Sequence, residues 1–237
     1  MIKNTASLDL VEFVEQNILP QYANFDKAHG LSHVMAVIRR SIDLVRSTGA
    51  DINMVYVVAA YHDLGLSGPR AVHHITSGKI LAADMRLRRW FSDEQIKIMK
   101  EAVEDHRASA SRQPRSIYGK IVAEADRCLE PETVIRRTVQ FGLSNYPGLD
   151  REGQWLRMKK HVAEKYSVNG YIKLWIQGSE NERQLNTLRQ LIADERLLRS
   201  WFDRIYDEES EEFSCKPSGE SSSLGLFRGA AENRRSQ

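Results

Sequence analysis

Apolar residues recur at helical spacing along almost the whole chain, and no segment sustains the alternation of a half-buried strand. That pattern restricts the sequence to an all-α fold. A first helix is expected from about Leu8 to Leu19, stopped by Pro20, and a second from near Ser32, with Val34, Val37, Ile38, Ile42 and Val45 on one side and Gly49 past its end. Asp51 reads as the N-cap of INMVYVVAAYHDL, a segment apolar almost all round and therefore central and buried. Gly65 and the Gly68-Pro69 pair break it. Helices follow over Ile75 to Trp90, from the Ser92/Gln95 capping box through Val103, across GKIVAEADRCL, and from Pro131 through QFGL. After the Asn145-Tyr146-Pro147-Gly148 turn come two amphipathic helices, about Arg151 to Lys165 and Asn181 to Ile205. The expected architecture is a bundle of roughly eight to ten helices.

Composition narrows the function. The 237 residues, 41% of them hydrophobic, suffice for one sizeable core, or a core with a small appended lobe. Residues 1–207 are read as one domain, and the Ser-, Glu-, Gly- and Arg-rich stretch 208–237 as a disordered tail. Thirty-four Lys and Arg balance 32 Asp and Glu, which gives no electrostatic reason to expect nucleic acid or an anionic membrane as partner. Two cysteines without paired spacing exclude a disulfide scaffold and a thiolate zinc site. The opening segment has no continuous apolar stretch, and no window approaches the roughly 20 residues that span a bilayer, so a cytoplasmic protein is expected. The last helix, with Leu188, Leu191, Ile192, Leu197 and Leu198, can pack on the core or on a second copy, leaving a homodimer open.

Three of these helices carry metal-ligand side chains amid apolar neighbours: His33, His62 with Asp63, and Asp126. Buried imidazoles and carboxylates are costly unless paired or metal-bound. Adjacent helical residues point about 100° apart, so His62 and Asp63 can straddle one ion while His33 and Asp126 approach from other helices. Two imidazoles and two carboxylates suit Mn, Fe, Co, Ni or Zn, with Mg weaker, and leave positions open for water and a substrate oxygen.

The order His33, His62-Asp63, Asp126 resembles the HD-domain superfamily of metal-dependent phosphohydrolases. The segments DKAHGLSHVMAVI, AAYHDLGL and YGKIVAEADR are similar to those of small bacterial HD proteins, and the resemblance covers roughly residues 25–130. It implies an all-α fold and metal-activated water cleaving a phosphate ester or anhydride of a small molecule, with a nucleotide the first expectation. One divalent ion is expected, because the further histidines do not match a two-metal spacing well.

Around these ligands, His29 is a candidate for phosphate or a second metal, although Gly30 interrupts helix there and HGLSH lacks the glutamate of HExxH. Of His73 and His74, His74 is the preferred substrate contact, and His106 reads either as an active-site residue or as a cap. Lys120 is either a cation aimed at phosphate or a solvated lysine, and Arg70 and Arg107 are phosphate candidates because guanidinium forks match phosphate oxygens. Asp63 is assigned to orienting or deprotonating the water, with Lys120, His106 or an arginine offsetting transition-state charge. The Arg136-Arg137 pair reads as a solvated face. Two rivals remain: a di-iron oxygenase, needing about six protein ligands, and a non-catalytic nucleotide-binding module.

Overall fold

A computed structural model describes residues 5–26, 29–107 and 112–215. Those residues form ten α-helices and no strand: α1 (Leu8–Asn17), α2 (Leu31–Val45), α3 (Ile52–Tyr61), α4 (His73–Ala83), α5 (Asp93–Glu104), α6 (Ile117–Ala125), α7 (Pro131–Asn145), α8 (Arg151–Tyr166), α9 (Glu180–Ala193) and α10 (Glu195–Cys215). Among the described residues no helix is long and apolar enough to cross a membrane.

Local chemistry sets most of the boundaries. The Asp51 carboxylate accepts the Asn53 amide at the start of α3, and Ser92 and Gln95 form the reciprocal capping box of α5. Pro131 occupies the first turn of α7, where its missing N–H costs nothing. Two boundaries differ most from the periodicity, beyond the shorter ends of α3 at Tyr61 and α6 at Ala125. The helix expected to Trp90 stops at Ala83, because Asp84 turns extended and its carboxylate accepts the Arg86 amide, starting a short 3-10 turn, Met85–Arg89. The helix expected across Asn181 to Ile205 is two, because Asp194 leaves helical geometry and accepts the Leu197 amide. Apolar periodicity runs through both breaks, and the capping aspartates override it.

The helices surround two hydrophobic cores. Helices α1 to α6 close around Leu10, Val14, Val37, Val57, Leu81, Met99 and Val122, with α3 buried except at Asn53. Helices α7 to α10 close around Ile135, Met158, Val162, Leu188, Phe202 and Ile205. Each fully buried aliphatic side chain contributes about 1.5–3 kcal/mol. A third cluster joins the lobes: Ile176, ahead of α9, packs on Val45, Ile52, Val55 and Ile121. Beside it the fully buried Glu124 carboxylate accepts the Trp175 and Ile176 amides at 2.7 and 2.8 Å, and the Asn181 amide donates to the Glu124 carbonyl.

Helix α10 runs to Cys215, past Glu208, where the sequence placed the start of a tail. Arg136 anchors the extension through Glu208 and Glu209 at 2.6 and 2.7 Å. The rest of the expected tail, 216–237, lies outside the described residues.

Candidate metal centre

The His62-Asp63 pair sits where α3 ends, and the helix's orphaned terminal carbonyls hold it in place. The His62 Nδ1 donates to the Ala59 carbonyl at 2.8 Å, and the Tyr22 hydroxyl donates to the Ala60 carbonyl at 2.9 Å. The same hydroxyl accepts the Asp63 amide at 3.4 Å. His62 and Tyr22 are fully buried, and Asp63 is 3% exposed.

Two further histidines repeat this device. His73, opening α4, donates Nδ1–H to the Arg70 carbonyl at 2.8 Å, and His106, after α5, donates to the Val103 carbonyl at 2.6 Å. A carbonyl can only accept, so in the neutral rings the proton lies on Nδ1 and each Nε2 keeps its lone pair. All three Nε2 atoms point at Asp63: His62 lies 3.3 Å from Oδ2, while His73 and His106 each lie 3.5 Å from Oδ1. His73 and His106 also bring their Nε2 atoms to 3.2 Å from each other. Two lone pairs at that distance repel unless a cation, a proton or a metal ion, lies between them.

Two groups that could hold a metal result, and they share one carboxylate. The first is His33, His62 and Asp63, and the second Asp63, His73 and His106. His33, from the first turn of α2, places Nε2 3.3 Å from that of His62 and 3.6 Å from Asp63 Oδ2. Asp126, at the end of α6, puts Oδ1 3.2 Å from His33 Nε2 and 3.8 Å from His62 Nε2. Burial alone would raise both carboxylates. The neighbouring imidazoles outweigh it, holding Asp63 far below the carboxylate range and Asp126 at about 2. Burial would lower His62, but Asp63 and Asp126 push it up to about 9. The donor set therefore favours a bound cation, and its fixed Nε2 lone pairs and buried carboxylate oxygens fit a divalent metal.

The centre opens into a cavity of about 870 Å³ between the two lobes. His29 and Arg70 line it: the His29 Nδ1 donates to Asp26 at 2.8 Å and its Nε2 accepts from Arg70 at 3.2 Å. Arg107 lines it too, held by the Ala71 carbonyl at 2.9 Å.

Other expectations land differently. His73, not the preferred His74, enters the centre, because the bond to the Arg70 carbonyl turns its ring inward and the next helical position faces away. Lys120 does not line the cavity, since six residues place it about 240° around α6 from Asp126. The Arg136-Arg137 pair divides: Arg136 joins the ion pairs to α10, and Arg137 lines the cavity. Gln140, Lys165 and Tyr171 join it, and sequence reasoning missed all of them. Tyr22 also went unremarked, because a tyrosine ahead of a glycine-containing loop gives no sign of the carbonyl it will cap.

Residues 30–130 match the family model of the HD domain. No curated protein and no solved structure matches the chain.

Proposed function

Because the chain belongs to the HD-domain superfamily of metal-dependent phosphohydrolases, we propose that it hydrolyses a phosphate ester or anhydride of a small molecule, a nucleotide in the first instance, with two divalent ions. The observation that carries this reading is Asp63, whose two oxygens each face a different pair of imidazoles. His33, His62 and Asp126 would hold one ion with Asp63 Oδ2, and His73 and His106 the other with Oδ1. This reading departs from the one-ion expectation because His73, opening α4, and His106, following α5, converge only in the fold. Mixed imidazole and carboxylate ligands suit Mn, Fe, Co, Ni or Zn, with Mg weaker.

Bound divalent ions supply an acidified water and polarise the phosphoryl oxygens. The protein supplies position and charge. Asp63, whose two oxygens face the imidazoles, would ligate and orient the attacking water. His106 acts as a ligand in this reading, in place of the charge-offsetting role expected for it. Arg70 and Arg107, tethered through His29 and the Ala71 carbonyl, meet the phosphate oxygens with little side-chain entropy left to lose.

The test is phosphate or pyrophosphate release from a panel of nucleotides and generic esters with Mn, Co, Ni, Mg or Zn. Metal-dependent release that vanishes in Asp63→Ala, with helicity unchanged, supports the reading. Full activity in Asp63→Ala contradicts it.

One observation favours a second reading. Six protein side chains converge on the centre, the number a di-iron oxygenase needs. Iron near two per chain, with oxygen consumed and no phosphate released, would establish that chemistry. The cationic cavity favours phosphoryl transfer.

A further inference from the structure

The metal centre occupies one wall of the cavity, and the other comes from a part of the chain beyond the matched residues 30–130. Arg137 and Gln140 stand on α7, Lys165 near the end of α8, and Tyr171 in the segment that follows. All belong to the second lobe, whose core is separate from the one that builds the metal centre. Among the described residues neither Arg137 nor Lys165 has a carboxylate partner. Lys165 instead lies over the Tyr166 ring at 5.0 Å, and several neighbours do have carboxylate partners. Arg136 meets Glu132, Glu208 and Glu209, Arg151 meets Asp203 and Asp207, and Lys159 meets Glu195. Seven of the thirteen described Lys and Arg in this lobe meet a carboxylate, and of the six that do not, Arg137 and Lys165 are the two that line the cavity.

Cations gathered at a concave surface without counter-charges repel one another, and an anionic ligand relieves the repulsion. Arg70 and Arg107 already stand beside the metal centre for the phosphoryl group that reacts. A second pair, on another lobe, is redundant for a substrate with a single anionic group. The cavity volume lies toward the upper end of the range for small-molecule sites, which leaves room for a ligand reaching both walls.

We infer that Arg137 and Lys165 form a second anion subsite, so that the preferred substrate carries a further phosphate group separated from the one at the metal centre. Arg137 takes that phosphate through its guanidinium fork, Lys165 adds a point charge, and Gln140 offers an amide donor. The inference rests on the phosphohydrolase reading for the end of the substrate that reacts, but binding at the second wall can be measured without turnover.

The experiment is calorimetric titration of the metal-loaded protein with α,ω-alkanediol bisphosphates of two to six carbons, each compared with the n-alkyl monophosphate of equal length. Wild type, Arg137→Gln, Lys165→Gln and the double variant are titrated side by side, with helicity checked by circular dichroism. The expected result is that at least one bisphosphate binds wild type about tenfold to a hundredfold more tightly than its monophosphate. In the double variant that preference falls to near unity, while monophosphate affinity stays unchanged. Equal affinities in wild type would overturn the inference, as would a preference that survives in the double variant or an equal loss for both ligands. An ω-phosphoalkanoate binding as tightly as the matched bisphosphate would overturn the assignment of a phosphate. Phosphate release, followed in parallel, separates the two claims. A bisphosphate preference without release sinks the hydrolase reading and keeps the subsite. Release without the preference sinks the subsite and keeps the hydrolase.

Discussion

At the scale of single residues, the centre is built by giving each imidazole one fixed proton and one free lone pair. His62, His73 and His106 all donate Nδ1–H to the carbonyl three residues earlier, which aims Nε2 at Asp63. His73→Ala should therefore lower bound metal from about two ions per chain to about one, measured by elemental analysis after gel filtration, whereas His74→Ala should keep both. Two ions retained by His73→Ala would place the second ion elsewhere. Tyr22→Phe leaves the Ala60 carbonyl and the Asp63 amide without their buried partner, which should cost about 1–3 kcal/mol in urea unfolding. An unchanged midpoint would mean that water replaces the hydroxyl. His33, His62, Asp63 and Asp126 were legible in the sequence because polar residues in apolar helices stand out. The choice between His73 and His74 was not, since neighbouring histidines look alike until one finds a carbonyl.

At the scale of elements, placement of the second imidazole group depends on how closely α4 approaches the turn after α3. A Cβ on Gly65 would collide with the His73 carbonyl oxygen and lie 2.7 Å from the Ser77 nitrogen, both backbone atoms that cannot simply rotate away. Gly65→Ala should push α4 outward, costing about 1–3 kcal/mol and weakening the group that contains His73 more than the one that contains His33. Equal metal affinity in both groups of that variant would show that the turn absorbs the methyl. Helix boundaries were legible where a cap has a sequence signature, as at Ser92 and Pro131. They were missed at Asp84 and Asp194, single aspartates inside continuous apolar periodicity. Asp84 also gives stability a pH dependence. Burial would raise it, but bonds from Arg86 and Tyr61 hold it below its ordinary value. Glu104 is likewise held down against burial by Lys100 and Arg115. A carboxylate depressed in the folded state contributes stability above its unfolded pKa of about 4, and that contribution is lost as pH falls through the folded value. The Asp84 and Glu104 contribution should accordingly be intact above about pH 5 and lost below about 4, so across that interval the denaturation midpoint should fall less steeply in Asp84→Asn than in wild type. A profile identical in that variant would remove Asp84 from the account.

At the scale of the whole molecule, the all-helical class followed from periodicity alone, but the cavity did not. Its second wall depends on how α7 and α8 dock beside the first lobe, a long-range arrangement that no local spacing encodes. Arg137 therefore read as a solvated residue, although it lines the cavity. The buried Glu124 carboxylate holds the two lobes by accepting the Trp175 and Ile176 amides. Glu124→Ala orphans both amides and should loosen the junction, raising KM for substrate more than it lowers kcat. A pure loss of kcat would place the effect in the metal centre instead. If the protein hydrolyses a phosphorylated small molecule with two ions held through Asp63, adding metal back in steps to chelated protein while following phosphate release from the best compound of the panel will show it. Release should climb with the second equivalent and level off at about two ions per chain. Full activity at one ion per chain, or oxygen uptake without phosphate at two irons, would contradict it.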